Sequence, residues 1–155
     1  MSTAIGFSII DSSLYIPELR SKRKDSALLE LGNRASQAGA VRDPILLREI
    51  LAVRERFGTT AIGKGVAVPH ARSLSVDEPR IVVGRSRRGL DWSAPDDLPV
   101  HLVLLVLSPA GCSEESHHEL VSRAVAVGRL QRNRQKLIEA GSFEVVASVL
   151  REVSI

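Results

Sequence analysis

The segment best suited to chemistry runs from Arg54 to His70 and reads RERFGTTAIGKGVAVPH. Gly58, Gly63 and Gly65 leave the backbone free to turn and to approach a ligand closely. Thr59 and Thr60 add hydroxyl donors, and Arg54 brings a permanent cation whose planar fork suits phosphate. Pro69 stiffens the backbone beside His70. A rigidly held histidine beside a Gly/Thr/Arg cluster reads as a site for a phosphoryl group or another anion. The same residues also fit a plain glycine-rich hairpin with a surface histidine at its end. Two phosphate motifs are excluded. The GxxxxGK[ST] spacing is absent, and the glycines lead into the strand-like VAV rather than the helix of a dinucleotide fingerprint.

A second locus is EESHHEL, from Glu114 to Leu120. Adjacent residues on a helix point about 100° apart, so only one of His117 and His118 can face a given site. If Leu120, Val121, Ala124 and Val125 face the core, His117 lies on their flank and His118 points toward water. His70, His117 and His118 could gather around zinc only if their segments meet. H-E-x-x-H is absent and no paired carboxylate has ligand spacing, so no metal site is expected. His101 falls inside an apolar strand pattern and reads as a hydrogen-bonded structural histidine. Cys112 has Glu114 and Glu115 close by, and acidic neighbours disfavour a thiolate, so it does not read as a nucleophile. Arg85, Arg87 and Arg88 form a basic run before Gly89. It fits a solvated strand end or a patch for an acidic partner.

These loci need elements to hold them. Leu14 to Leu19 reads as a short strand that Pro17 confines to a sheet edge. Residues 25–38 place Leu28, Leu29, Leu31 and Ala35 at helical spacing, and Gly39 stops that helix. Asp43-Pro44 opens a second helix, with Asp as the cap and Pro at the first position. Its expected buried stripe is Ile45, Leu46, Ile50 and Val53, and it ends at Gly58. Val66–Val68, Arg80–Ser86 and Leu102–Leu107 have strand length. The last is apolar on both faces and should be a central strand covered on both sides. Glu114–Leu130 and Ser142–Glu152 return to helix, the latter capped by Ser142 with Val145, Val146, Val149 and Leu150 inward. Helices, then strands, then helices predict an α/β fold with a mixed central β-sheet sandwiched between helices.

Composition narrows the field. At 155 residues the chain fits one domain. Residues 1–12 read as a loose lead-in and 13–155 as the domain. Hydrophobic residues at 44% and charged ones at 25% predict a folded chain. Aromatics are 3%, so the core must be aliphatic, and the stacking platforms of single-strand nucleic-acid binders are missing. The net charge of +3 is small and scattered, which gives little attraction for a polyanion. Cys112 stands alone, which excludes an internal disulfide and fits a reducing compartment. Val100–Leu107 is the longest nearly apolar run, far short of the ~20 residues of a membrane span. The N-terminus lacks a basic region before its apolar patch and does not read as a signal peptide. A cytoplasmic protein without membrane insertion or nucleic-acid partner is expected.

Four segments together carry a resemblance. RERFGTTAIGKGVAVPHA is similar to the active-site segment of the enzyme IIA domains of the bacterial sugar phosphotransferase system, fructose/mannitol type, a family that includes nitrogen-regulatory IIA proteins. LDWSAPDDLPVHLVLLVLSP, SHHELVSRAV and KLIEAGSFEVVASVL resemble the segments that follow in that family, in the same order. The likeness covers about residues 14–152. It implies the family's fold, with a phosphoryl group carried on His70 and His117 as the second active-site histidine. It also implies that Arg54 and the Thr60 hydroxyl bind the phosphoryl group. The implied donor is the histidine phosphocarrier protein. The implied acceptor or target is a IIB domain, a regulated transporter or a sensor kinase, and no cofactor is implied. Ala61 stands where the family has Gly, and His118 where it has an apolar residue.

Overall fold

The computed structural model describes residues 8–155. Of the expected lead-in, residues 1–7 lie outside the described residues. Beyond them Ile81 N donates to Ile9 O, and Ile10 is buried. A 3-10 turn, Ser12–Leu14, precedes β1, Tyr15–Ile16. Helices α1, Lys24–Gln37, and α2, Pro44–Arg56, follow. Next come β2, Ala61–Gly63, β3, Val66–Ala67, β4, His70–Ser73, β5, Arg80–Leu90, and β6, Val100–Pro109. Three helices close the chain: α3, Glu114–Arg129, α4, Gln131–Ile138, and α5, Phe143–Arg151.

The strands form one mixed sheet in the order β1-β5-β6-β3-β2, with β4 also on β6. β5 and β6 are antiparallel, while β1 on β5 and both β3 and β4 on β6 are parallel. Residues alternate across a strand. Along β6, Val103, Leu105 and Leu107 therefore join the layer of α1 and α2, and Leu102, Leu104 and Val106 join the layer of α3 and α5. This is the expected central strand, apolar on both faces. β1 is the expected edge strand, shortened to two residues. No helix among the described residues is long and apolar enough to cross a membrane.

The capping residues act largely as their types dictate. Asp43 accepts from Leu46 N at 3.0 Å with Pro44 at the first turn of α2. Gly39 takes a φ of +78° just after α1. Ser142 sits at the N-cap of α5, but its side chain makes no capping bond. The inward faces of two helices differ from the expected ones. α2 buries Leu47 and Leu51, while Ile45 and Val53 are 61% and 46% exposed. This helix packs on α1 and β4 through one narrow stripe, and Leu47 meets α1 where Gly32 has no side chain. In α5 Ala147 is buried in place of Val145. The charged α4, QRNRQKLI, lacks an apolar run and was not foreseen; it buries Asn133 and Leu137.

Arg85 corrects the reading of a solvated basic run. It is 4% exposed, and its guanidinium donates to the carbonyls of Pro17, Ile138 and Ala140. The cation ties β1 to the α4–α5 connection, which gives it a buried role that its basic neighbours conceal. Arg87 and Arg88 remain exposed.

The approach of α3 to the sheet is close enough to test. A Cβ on Gly128 would lie 2.9 Å from Val66 Cγ1 and 3.1 Å from Ile62 Cδ1. Gly128→Ala is expected to destabilise the fold by about 1–2 kcal/mol. Overpacking of about 1–3 kcal/mol outweighs the gain of up to about 1 kcal/mol in helix propensity. A lower urea midpoint at unchanged slope would register it.

Candidate functional site

β4 sets the site. His70 pairs with Val106 and Arg72 with Ser108. Paired residues share a sheet face, so all four point to the layer of α3. The chain leaves β3 at Ala67 and enters β4 at His70, with Val68 and Pro69 between. There the Val68 carbonyl accepts from His70 Nδ1 at 3.0 Å. A carbonyl only accepts, so Nδ1 carries the proton and Nε2 keeps the lone pair.

α3 brings the second histidine. Ser113 caps the helix by accepting from Ser116 N at 3.0 Å. One turn in, His117 is 5% exposed and its ring centroid lies 5.6 Å from that of His70. His117 Nδ1 is 2.7 Å from Ser108 Oγ. No other acceptor for that hydroxyl is found among the described residues. The geometry therefore assigns Ser108 as donor to Nδ1, which leaves the His117 proton on Nε2. His118 is exposed and turned away, its ring 6.3 Å from that of His117. His117, on the flank of the apolar stripe, is thus the histidine that faces His70.

Arg54, in the last turn of α2, donates to Gly58 O at 2.9 Å. Its charge reaches His70. Thr60 is buried, and both its N–H and its hydroxyl donate to the Glu55 carboxylate. Lys24 completes the ring of partners at 3.5 Å from Glu55. The Thr60 hydroxyl proton is therefore held by Glu55 here. Ala61, in the position of the family's usual Gly, lies in β2 with negative φ. His101 behaves as the structural histidine expected: its Nδ1–H donates to Ser86 O on β5 at 2.8 Å.

Sequence reasoning missed Glu55, Ser108 and Arg72. Glu55 had a signal, a carboxylate beside Arg54 and five residues before Thr60. Ser108 had none, because only strand pairing brings it to the face of His70, and Arg72 shares that face only once residues 70–73 are known to be a strand.

Electrostatics keep both imidazoles neutral. Burial lowers the His70 pKa. The Arg54 and His118 charges lower it further, while the Val68 bond and Glu55 oppose them. Burial, then the charges of His70, His118 and Arg72, push His117 down to about 4. A histidine lowered in the fold is protonated more readily in the unfolded chain. Stability is then full above the unfolded value of about 6.5 and falls as pH drops toward the folded value. Acidification from pH 7 to pH 5 is expected to lower the thermal midpoint of the wild type. His117→Gln should respond less, and scanning calorimetry at the two pH values compares them. Among the described residues no three His, Cys, Asp or Glu side chains gather in a way that could hold a metal ion.

Fold and site together define an α/β domain with one mixed sheet between helical layers and a neutral histidine pair between β4 and α3. The family model described as "Phosphoenolpyruvate-dependent sugar phosphotransferase system, EIIA 2" matches residues 8–153, and the chain belongs to that family. Its members are phosphotransfer components. The chain is 35% identical over 130 residues to the PTS system fructose-specific EIIA component of Haloferax volcanii, covering 84% of each. It is 32% identical over 142 residues to a nitrogen regulatory protein of Bradyrhizobium diazoefficiens, covering 92% of each. To the fructose-specific EIIABC component of Bacillus subtilis it is 31% identical, but it spans 21% of that protein's length. Among solved structures, the nitrogen regulatory protein IIA-Ntr of Neisseria meningitidis superposes with a TM-score of 0.84 at 27% identity. That match covers 92% of this chain and 96% of the other. The complex of enzyme IIAMTL and phosphorylated enzyme IIBMTL from Escherichia coli matches with a TM-score of 0.76, covering 92% and 96%. At 16% identity this likeness concerns the fold alone.

Proposed function

We propose that residues 13–155 act as one IIA-like domain that carries a phosphoryl group on His70. The donor is the histidine phosphocarrier protein. The group then passes to a IIB domain, or its charge alters binding to a regulated transporter or sensor kinase. The observation that carries this reading is the fixed tautomer of His70, whose Nδ1 proton rests on Val68 O while the neutral His117 ring stands 5.6 Å away. An unprotonated Nε2 is the atom a phosphoryl acceptor needs.

In the transfer, His70 Nε2 forms a bond to phosphorus as the phosphorus–nitrogen bond of the donor histidine breaks. The electron pair returns to the donor ring, and the Nδ1 proton of His70 stays in place. Such transfers need positioning and charge stabilisation more than covalent help. Arg54 and the His117 Nε2–H supply charge and a donor for the phosphoryl oxygens. Thr60 adds its hydroxyl by exchanging Glu55 for a phosphoryl oxygen, with Lys24 remaining on the carboxylate.

The match to nitrogen regulatory proteins over nearly the whole of both chains favours the signalling outcome as the second use of the same chemistry. The test is intact-mass spectrometry after incubation with phosphoenolpyruvate, enzyme I and the histidine phosphocarrier protein. One acid-labile phosphoryl group per chain is expected. No added mass beside a donor shown to be loaded would overturn the reading and leave a binding module that works without phosphorylation.

A further inference from the structure

Arg72 is unusual among the cations of this fold. It stands two residues after His70 on the same face of β4. One terminal nitrogen, Nη2, donates to Ala110 O at 3.0 Å and to Cys112 O at 2.6 Å. Those carbonyls belong to the turn that leads into the Ser113 cap of α3. Its Nε is buried and makes no hydrogen bond among the described residues. No carboxylate among them lies within ion-pairing distance of the guanidinium. A buried donor left unmet and a half-buried cation left without an anion both carry a free-energy cost. Loop clamping explains Nη2 and leaves the buried Nε unexplained.

Position supplies a reason. The Arg72 charge bears on His117, and the Arg54 charge bears on His70. Arg72 shares the sheet face of His70, so an anion at the ring pair would meet the charges of both arginines. Guanidinium is the side chain best matched to phosphate oxygens, and its Nε–H is one of the donors in that fork.

We propose that Arg72 is a second phosphoryl-holding cation beside Arg54, its Nε–H kept for an oxygen of the phosphoryl group on His70. The proposal rests on the phosphocarrier reading above and names a further residue of the same site.

The test uses wild type, Arg72→Gln and Arg72→Lys, each treated with phosphoenolpyruvate, enzyme I and the histidine phosphocarrier protein. Two quantities are read: the rate of phosphoryl uptake, and the change in thermal midpoint on phosphorylation. In the wild type the midpoint should rise on phosphorylation, because the unmet donor and cation gain an anion. Arg72→Gln should load about 10- to 100-fold more slowly, the loss expected for one charge-assisted bond to the transferring group, and its rise should shrink. Arg72→Lys keeps the charge without the Nε donor and should fall between the two. Equal rises in wild type and Arg72→Gln, whatever their starting midpoints, would overturn the proposal and leave Arg72 as a loop clamp. If Arg72→Gln does not fold or loads too slowly to measure, Arg72→Lys decides: wild-type rate and rise there overturn it too. A wild type that takes up nothing from a loaded donor would instead sink the phosphocarrier reading itself.

Discussion

His70→Ala is expected to abolish phosphoryl uptake, by at least about 10³-fold and to the detection limit of intact-mass spectrometry. The effect is large because, on the proposed function, the residue forms the bond rather than assisting it. His117 cannot substitute. Its Nδ1 is engaged by Ser108, and its Nε2 holds the proton in the tautomer set by that contact. His118 is exposed but lacks a carbonyl partner of the kind that fixes His70. The fold should survive the change, since His70 is only half-buried and its side chain makes one hydrogen bond among the described residues, to Val68 O. Unaltered circular dichroism beside lost uptake is the expected pair of results. Retained uptake at full stoichiometry would place the phosphoryl group on another residue.

His117→Ala should slow uptake by about 10²–10³-fold, the loss measured when one preorganised donor to a developing charge is removed elsewhere. The resting pKa of about 4 means that this donor is a neutral Nε2–H before transfer. A phosphoryl dianion alongside should then raise that pKa, because opposite charge favours the protonated ring. Nuclear magnetic resonance titration of His117 before and after phosphorylation reads the change directly. His118→Ala is expected to leave the rate nearly unchanged. If His118→Ala were the slow variant and His117→Ala the normal one, the roles given to the two rings would be reversed.

Much of this architecture could be read from residue order. The Asp43-Pro44 start of α2, the doubly covered β6 and the flank position of His117 follow from side-chain chemistry and period alone. Other features could not be read because they depend on partners distant in sequence. α2 turned Leu47 and Leu51 inward because Gly32 of α1 opens a groove there, which periodicity cannot weigh against Ile45 and Val53. β2 and β4 are too short to show a pattern, so His70 looked like a hairpin tip rather than a strand residue. Arg85 looked solvated because nothing local signals three carbonyls converging from β1 and the α4–α5 connection. At the site, His70, His117 and Arg54 were legible as residue types, whereas Ser108 acquires meaning only through the register of β4 on β6, and Arg72 only once the short β4 is known to be a strand.

That register has an evolutionary corollary. Val66 faces Leu102 and His70 faces Val106, so the chain advances four residues on both strands across the break at Val68 and Pro69. β3 and β4 therefore behave as one interrupted rung beside β6. Substitutions between them are tolerated to the extent that their volumes fit. Insertions and deletions are not, because a slip of one residue turns every later side chain to the opposite face. It would carry His70 into the layer of α1 and α2, away from His117. Relatives that keep the paired histidines should then differ here in spelling but never in length, and a single-residue insertion after Val68 should disable the site and turn Ala71 out of the core beneath α1 and α2.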